Sequence, residues 1–398
     1  MSNSRSEFPE EYNNESQYED GFEGPEKNLQ IIFTKSTQSQ LNTKSNKTLL
    51  NIQQEEWEKM LDKAKCKILS SISNSKCTSY ILSESSLFVF EDKIILKTCG
   101  TTPLLLAIDD ALSIGKSIGF IPAVVLYWRK NFCHPENQHF PHKSFSTEVE
   151  FLDAHFGSEN SSTVRCGPID HDHWFFYYAD MIKDKSNFKG IDTTFELKMH
   201  EIHPESSQYF YNNFNNNNNE LVDIVRSMIP DSKIDDFFFD PCGYSMNGLI
   251  GETDQYETLH ITPENKCSYV SFESTEETFV SGREWAYRIL ELFRPASFTA
   301  VEISSSPRML SALKIDGYVL TCPCSMHLLD GLYITFWSYT LAECDNHPLA
   351  KVSEIRIRAL IRNYFVEELQ HKFLRSSENE NNNFFLVNVH NKIQEILA

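Results

Sequence analysis

The sequence is short of positive charge: 36 Lys and Arg stand against 56 Asp and Glu, a formal net charge of -20. A surface with no basic excess is a poor match for a phosphate backbone, which excludes nucleic acid as a partner, and it suits cationic ligands better. Long apolar runs are also missing. The nearest, Leu104 to Ile108, is stopped by Asp109-Asp110, far short of the roughly 18 residues that span a bilayer, so no membrane partner is expected. Residues 1–20 hold no apolar stretch of secretory type, which predicts no secretory signal. The ten cysteines lack metal-site spacing: neither Cys322-Pro323-Cys324 nor the group Cys133, His134, His139, His142 follows a finger or ribbon pattern, and no metal is expected. Ten cysteines without a secretory signal predict free thiols in a reducing compartment, the cytosol. No fixed-period repeat is visible.

What is present is apolar and aromatic. Over 398 residues, 40% are hydrophobic and 13% aromatic, with 29 Phe, the composition of a strand-rich globular chain. Residues 1–20 are acidic and Asn-rich and read as a disordered leader. Helical spacing of Trp57, Met60, Leu61 and Ala64 predicts a helix over about 54–65; Thr102–Ser117, Phe145–Phe156 and Thr278–Phe293 read as further helices. Strands are expected at 68–72, 80–82, 87–90, 94–97, 121–127, 173–178, 195–202, 237–239, 258–262, 269–273, 298–303, 318–321 and 332–337, with Pro241–Gly248 as a turn. Asn212–Asn219 reads as a low-complexity surface insertion. Strands in antiparallel runs with few, grouped helices predict an α+β fold. The domain is placed at 21–340, followed by an extension over 341–398 that is helical across 350–374 and then Asn-rich.

Four stretches carry chemistry. Glu23 and Glu26 follow Phe22, placing two carboxylates beside one aromatic ring. In Tyr80–Gly100, a polar tip Ser83-Glu84-Ser85-Ser86 joins two strands, and a Ser hydroxyl at such a bend can attack the preceding carbonyl; Cys99 follows with Lys97 two residues away. Asp192, Thr194 and Glu196 alternate, so a strand would point them from one face. Phe239, Ser245, His260, Glu264 and Glu273 come late in the chain.

The blocks FEGPEK (22–27), YILSESSLFV (80–89), ILKTCGTT (95–102), RKNF (129–132), PCGYSMNG (241–248) and HITPE followed by SYVSFE (260–273) resemble, in order, the eukaryotic pyruvoyl-dependent S-adenosylmethionine decarboxylases. The resemblance implies a four-layer αββα sandwich of two antiparallel sheets flanked by helices, and a zymogen that cuts itself between Glu84 and Ser85 into chains 1–84 and 85–398 that remain together. It implies that Ser85 becomes a covalent pyruvoyl group, the pyruvate cofactor, which forms a Schiff base with the substrate amine. His260 would be the processing base, Ser245 its helper and Glu23 a further processing residue, while Cys99 would be the proton donor of turnover. Phe22 and Phe239 would sandwich the adenine, Leu82 and Glu84 would read the base edge through their main chain, Glu264 would hold the ribose, and Glu23 and Glu26 would face the sulfonium.

The product would be the aminopropyl donor for spermidine and spermine. Asp192, Thr194, Glu196, Glu273 and Arg129 match the family's buried site for putrescine, an activator of many members. Gln30 and Ile303, however, stand where activated members carry Glu and Phe, and one lost carboxylate weakens a site for a dication. A homodimer is the further partner considered. Two readings from other classes compete: a catalytically silent relative that binds an active partner through helix 350–374, and a hydrolase using Cys99 and His260.

Overall fold

The computed structural model describes residues 22–36, 47–182, 188, 190–211, 220–226, 231–265, 267–275, 284–306, 312–328 and 331–342. The leader 1–20, the Asn-rich 212–219 and the extension beyond 342, with its expected helix 350–374, lie outside the described residues.

The first half of the chain builds one antiparallel sheet from β1 (Lys27–Lys35), β2 (Ile68–Ser73), β3 (Cys77–Leu82), β4 (Ser85–Phe90), β5 (Lys93–Thr98), β6 (Phe120–Lys130), β7 (Ser161–Cys166) and β8 (Trp174–Asp180). The second half builds another from β9 (Thr194–His200), β10 (Ser232–Phe238), β11 (Tyr244–Ile250), β12 (Tyr256–Thr262), β13 (Tyr269–Ser274), β14 (Ser297–Ser304), β15 (Tyr318–Leu328) and β16 (Leu332–Leu341). Their orders are β2-β3-β4-β5-β1-β6-β8-β7 and β10-β11-β12-β13-β9-β14-β16-β15. The second order is the first with eight added to every strand. The chain therefore does repeat itself, in strand order and not in residues, which is why no sequence period revealed it.

Three apolar layers hold four structural ones. Trp57, Met60 and Leu61 of α1 (Gln54–Lys63), Ala111 and Ile114 of α2 (Ile108–Ser117), and Leu152 and Phe156 of α3 (Phe145–Phe156) pack on the outer face of the first sheet at Leu29, Leu87 and Tyr127. Val222 and Val225 of α4 (Glu220–Arg226) and Ile289 and Phe293 of α5 (Glu284–Phe293) cover the second sheet at Leu197, Leu259 and Phe272. Between the sheets lie Phe88, Trp128, Trp174, Phe176, Tyr256, Ile303 and Phe336. Period-two alternation sends each strand's apolar residues alternately to the helices and to the other sheet, so strands buried on both faces lose the apolar-polar alternation of a solvated sheet. This is the αββα sandwich.

The turn expected over Pro241–Gly248 is corrected: only its first part turns, and Tyr244–Ile250 is β11. The Gly-Pro punctuation misleads because Gly248 lies inside the strand, where a Cβ would fall 2.3 Å from Ser232 Oγ and 2.6 Å from Glu257 Cγ. It is glycine for close approach. β1 and β7 had no counterpart among the expected strands.

Glu257, fully buried on β12, has no hydrogen bond to either carboxylate oxygen. Burial pushes its pKa up to about 8, against a slight opposing pull from Ser232. A folded pKa above the unfolded value of 4.5 means a stabilising contribution that is whole below pH 4.5 and lost as pH rises through 8, at about 1.4 kcal/mol per pH unit in between. Glu257→Gln should remove that slope, so that its melting temperature gains on the parent's steadily from pH 5 to 8. Parallel curves would contradict it.

Candidate active site

Ser83 and Glu84 alone connect β3 to β4, where Leu82 pairs with Ser85 and Ser85 pairs on its other side with Thr98. Ser85 has φ of 123°, a region that side chains of L-residues avoid and that costs on the order of 1–3 kcal/mol. The peptide joining Glu84 to Ser85 is thus held beside a strained residue. Its carbonyl oxygen accepts a hydrogen bond from the Cys99 backbone N–H at 3.0 Å and from the Cys99 thiol at 3.4 Å. Both donors draw electron density from the carbonyl carbon.

The second sheet supplies the groups facing this tip. Register aligns Ser245, His260, Ser271 and Lys198 in one row across β11, β12, β13 and β9, and Asn247, Thr258, Glu273 and Glu196 in the next. All eight side chains are buried. His260 Nε2 lies 3.0 Å from Ser85 Oγ, and its Nδ1 lies 2.8 Å from Ser245 Oγ. Nε2 also meets Thr258 Oγ1 at 3.0 Å and Ser86 Oγ at 3.3 Å. Both of those hydroxyls donate to Asn247 Oδ1, so they turn lone pairs toward the imidazole. Burial pushes the His260 pKa down to about 4, more than the Glu26 carboxylate offsets, with the Lys97 and Lys198 ammoniums adding to the fall. The ring is neutral near pH 7, as a base must be.

Cys99 departs from the activated thiol that a neighbouring Lys97 suggests. Burial, then the carboxylates of Glu84 and Glu26, push its pKa well above the ordinary value, and the Lys97 ammonium instead binds Glu273. Cys99 is a protonated thiol, able to give a proton rather than to attack. Glu84 itself is raised to about 7 by burial, against opposing pulls from Cys99 and Lys27.

Glu26 accepts from Tyr269 Oη at 2.8 Å and Ser271 Oγ at 2.5 Å, and lies 3.5 Å from Lys198 Nζ. Burial alone would raise its pKa, but Lys198, His260, Lys97 and Ser271 hold it at about 2. Gly24 keeps this arrangement: a Cβ there would fall 2.7 Å from the Tyr269 ring. The Glu23 carboxylate is turned elsewhere, accepting from the backbone N–H of Cys133 at 3.0 Å and His134 at 2.8 Å. It has no hydrogen bond to the Ser85–His260 pair.

At the rim, the half-buried Phe22 ring and the Glu84 carboxylate flank Gly100, 3.3 and 3.6 Å from where a Cβ would stand. The Phe22 N–H donates to Cys267 Sγ at 3.2 Å, and the Cys267 N–H to the Glu264 carbonyl at 3.0 Å. Burial, then the nearby Glu264 carboxylate, pushes the Cys242 thiol up; Cys242 precedes Gly243, whose carbonyl takes the N–H of the half-buried Phe239 at 3.0 Å. Leu82 is fully buried at the end of β3. Phe22, Phe239 and Glu264, distant in sequence, are thus brought near one another.

The putrescine-site candidates divide. Glu196 and Glu273 stand opposite one another on β9 and β13; Glu196 accepts from Trp128 Nε1 at 2.9 Å and Glu273 from Tyr256 Oη at 2.5 Å. Thr194 is buried two residues before Glu196. Asp192, half-exposed, pairs with Lys93 at the mouth of a separate cavity of about 770 Å³. Arg129 does not join them: its guanidinium reaches Glu148 of α3 at 2.8 Å and packs on Phe132 and Phe175. Being next to Trp128 on β6, it faces the helices while Trp128 faces the second sheet. Gln30 is buried with its Nε2 lacking a hydrogen-bond partner.

Sequence reading missed Ser86, Asn247, Thr258 and Lys198. The first three sit inside or beside recognised blocks: Ser86 is next to Ser85, and Asn247 and Thr258 lie two positions from Ser245 and His260, a strand-parity signal that was available. Among the described residues no group of three His, Cys, Asp or Glu is placed to hold a metal, and no helix is long and apolar enough to cross a membrane.

Comparison with known proteins agrees with the recurring blocks. The sequence profile described as "Adenosylmethionine decarboxylase" matches residues 19–321. A protein of Dictyostelium discoideum named S-adenosylmethionine decarboxylase proenzyme is 41% identical over 293 residues, 72% of this chain and 76% of its own. Proteins of the same name from Onchocerca volvulus and Drosophila melanogaster are 40% and 38% identical, covering 70% of this chain and 74% and 81% of theirs. With three quarters of its length matched by the profile, the chain belongs to the adenosylmethionine decarboxylase family.

Proposed function

We propose that the chain is a proenzyme that cuts itself between Glu84 and Ser85 and then decarboxylates S-adenosylmethionine, supplying the aminopropyl donor for spermidine and spermine. One observation carries the reading: Ser85 Oγ lies on a neutral His260, at a strained residue, beside a carbonyl held by two Cys99 donors.

In self-cleavage, Ser85 Oγ adds to the Glu84 carbonyl carbon while its proton passes to His260 Nε2. The Cys99 N–H is placed to stabilise the oxyanion that forms on the Glu84 oxygen. Ser86 and Thr258 oxygens then accept from the new Nε2–H, and Ser245 holds the opposite ring edge. The C–N bond breaks and its nitrogen takes the proton, leaving an ester. His260 next removes the Ser85 α-proton, the Cβ–Oγ bond breaks and the Glu84 carboxylate departs. The resulting dehydroalanine tautomerises, and water hydrolyses it with loss of ammonia to the pyruvoyl group.

In turnover that group supplies an electron sink for the departing carboxylate electrons. This chain's residues do the rest. Phe22 and Phe239 offer aromatic faces for a flat base, and the high-pKa thiol of Cys99 holds the proton returned to the α-carbon. The small chain stays in place after cleavage because β1 lies between β5 and β6 and β3 between β2 and β4. The free state of the nine described cysteines supports the cytosolic setting. A silent regulatory relative is not favoured, since the self-cleavage set is assembled in bonding geometry.

The test is a denaturing mass spectrum paired with carbon dioxide release. The purified protein should give two chains, the larger beginning with pyruvoyl in place of Ser85, and should release carbon dioxide from S-adenosylmethionine. Cys99→Ala should still be cut yet turn over at least about tenfold more slowly. A single uncut wild-type chain would overturn the reading.

A further inference from the structure

Decarboxylation consumes a proton. As the bond to the leaving carboxylate breaks, its electron pair passes to the sink and returns to the α-carbon, which takes the proton of Cys99 Sγ and leaves a thiolate. That thiolate must be refilled once per turnover, with the substrate lying over the site. The groups facing the thiol decide where the proton comes from.

Four titratable groups act on it: Glu84, Glu26, Lys27 and Cys66. Glu26 has no proton to give, being kept ionised at about 2, against the push of burial, by Lys198, His260 and Lys97. Cys66 is buried, and burial pushes its thiol up, so its proton stays bound near neutrality. Lys27, brought down to about 8 by burial, spends its Nζ–H groups on the Gly100 carbonyl at 2.8 Å and Gln138 Oε1 at 3.3 Å. With none of its surface exposed, it cannot trade a proton directly with water.

Glu84 differs on each count. It is half-buried at the rim, and the Cys99 thiol, 3.4 Å from the Glu84 carbonyl oxygen, also donates to Glu84 Oε2 at 3.7 Å. Burial raises this carboxyl to about 7, against the pulls of Cys99 and Lys27, so near neutrality it carries a proton about half the time. Burial holds the thiol well above its ordinary 9.0, and passing a proton from the carboxyl to the thiolate is therefore favoured by about a hundredfold or more.

Self-cleavage leaves the carboxyl anchored. The Ser83 N–H donates to the Lys67 carbonyl at 2.8 Å and its hydroxyl accepts the Lys67 N–H at 3.1 Å, while the Cys99 N–H holds the oxygen that becomes part of the new Glu84 terminus. A terminal carboxylate ionises at about 3.5 and stores no proton at neutral pH. Its added negative charge raises the side-chain carboxyl further.

We propose that the Glu84 side chain, beyond the main-chain contacts expected of this residue, is the proton store that refills Cys99 in each turnover, a positioning residue that acts on the substrate only through the thiol. The proton moves from the Glu84 carboxyl to Cys99 Sγ, and water at the rim returns one to Glu84. One proton is thus taken from solvent for each carbon dioxide released. The turnover arm rests on the decarboxylase reading; the titration arm does not.

Glu84→Gln, which keeps the shape and loses the acid, should still be cut, with kcat at least about tenfold lower and KM near the parent's. Wild-type kcat should fall as pH rises through about 7 or just above, where the carboxyl ionises; in the variant that fall should be gone. A merely structural defect would lower kcat and keep it. In the uncut Ser85→Ala chain, infrared difference spectra should show a protonated carboxyl that ionises near pH 7 and is missing once Glu84→Gln is added. Wild-type speed in Glu84→Gln, a variant that keeps the pH fall, or no Glu84 band titrating near neutrality would each overturn the proposal. The infrared titration decides it if Glu84→Gln is not cut. Absence of carbon dioxide release from wild type would instead sink the decarboxylase reading and leave that titration to decide this one.

Discussion

Ser85→Ala should leave the chain uncut and release no carbon dioxide at all. The loss is total rather than graded because one oxygen atom serves twice, as the nucleophile that opens the Glu84 peptide and as the leaving oxygen of the elimination. No neighbour can substitute. Ser86 Oγ is bound to Asn247 and lies 3.3 Å from the imidazole, but it follows the wrong peptide: attack on the Glu84 carbonyl from Ser86 would need a larger ring, and the dehydroalanine left by elimination would stand behind residue 85, its nitrogen held in an amide, so that no terminal α-keto group could form. The rest of the tip should survive, since the Cys99 N–H still holds the Glu84 carbonyl and β3 still pairs with β4. The variant should therefore melt within a few degrees of an uncut wild-type chain, consistent with the loss of one hydrogen bond worth about 1 kcal/mol. A two-chain Ser85→Ala product would sink the assignment.

His260→Ala should fail later in the sequence, and in a way that leaves a chemical trace. Strain at Ser85 and polarisation by Cys99 remain, so the N-to-O shift can still occur, but no group is left to take the α-proton. The ester should accumulate. Hydroxylamine attacks esters far faster than amides, so it should cut this variant into two chains, leaving a hydroxamate on Glu84 and an ordinary serine at the new N-terminus. Without hydroxylamine the chain should stay whole. Resistance to hydroxylamine would mean that no ester forms, so that His260 is needed already at the N-to-O shift.

Wild-type cleavage should share this dependence on the ring. Because burial holds the His260 pKa near 4, its base form is present throughout the neutral range. Cleavage should be flat from about pH 6 to 8 on this group's account and fall as pH drops through 4. Ser245→Ala should slow cleavage without abolishing it, since Nδ1 loses its 2.8 Å partner while Nε2 keeps its place.

Several parts of this were legible in the residues alone. Short apolar and aromatic runs bounded by turn residues marked most strands, and helical spacing set α3 at Phe145–Phe156, where Ser144 accepts the N–H of Thr147 at 3.1 Å. The blocks around Ser85, Ser245 and His260 named the family, because chemistry that breaks the backbone needs those residue types at fixed local positions. What stayed hidden was parity and partnership. Arg129 was grouped with the acidic cluster, yet one step along β6 turns it to the helices and gives that place to Trp128. Glycine and proline made β11 read as a turn, and a duplicated strand order left no residue period to find.

The sequence by itself determined the family, through its blocks, and with it the serine tip between two strands where self-cleavage is proposed; the bond, its nucleophile and the Cys99 donor lie within fifteen residues on one sheet. Only the tertiary structure decided how the tip is served. Ser85 and His260 are 175 residues apart, and nothing in strand spacing fixes which face of one sheet meets which row of another. That choice is made by the apolar layer between the sheets, which sets the tip over Ser245 and His260 and, in the same stroke, seals Lys198 beside Glu26 and Glu196, where burial strengthens its pairing with both carboxylates.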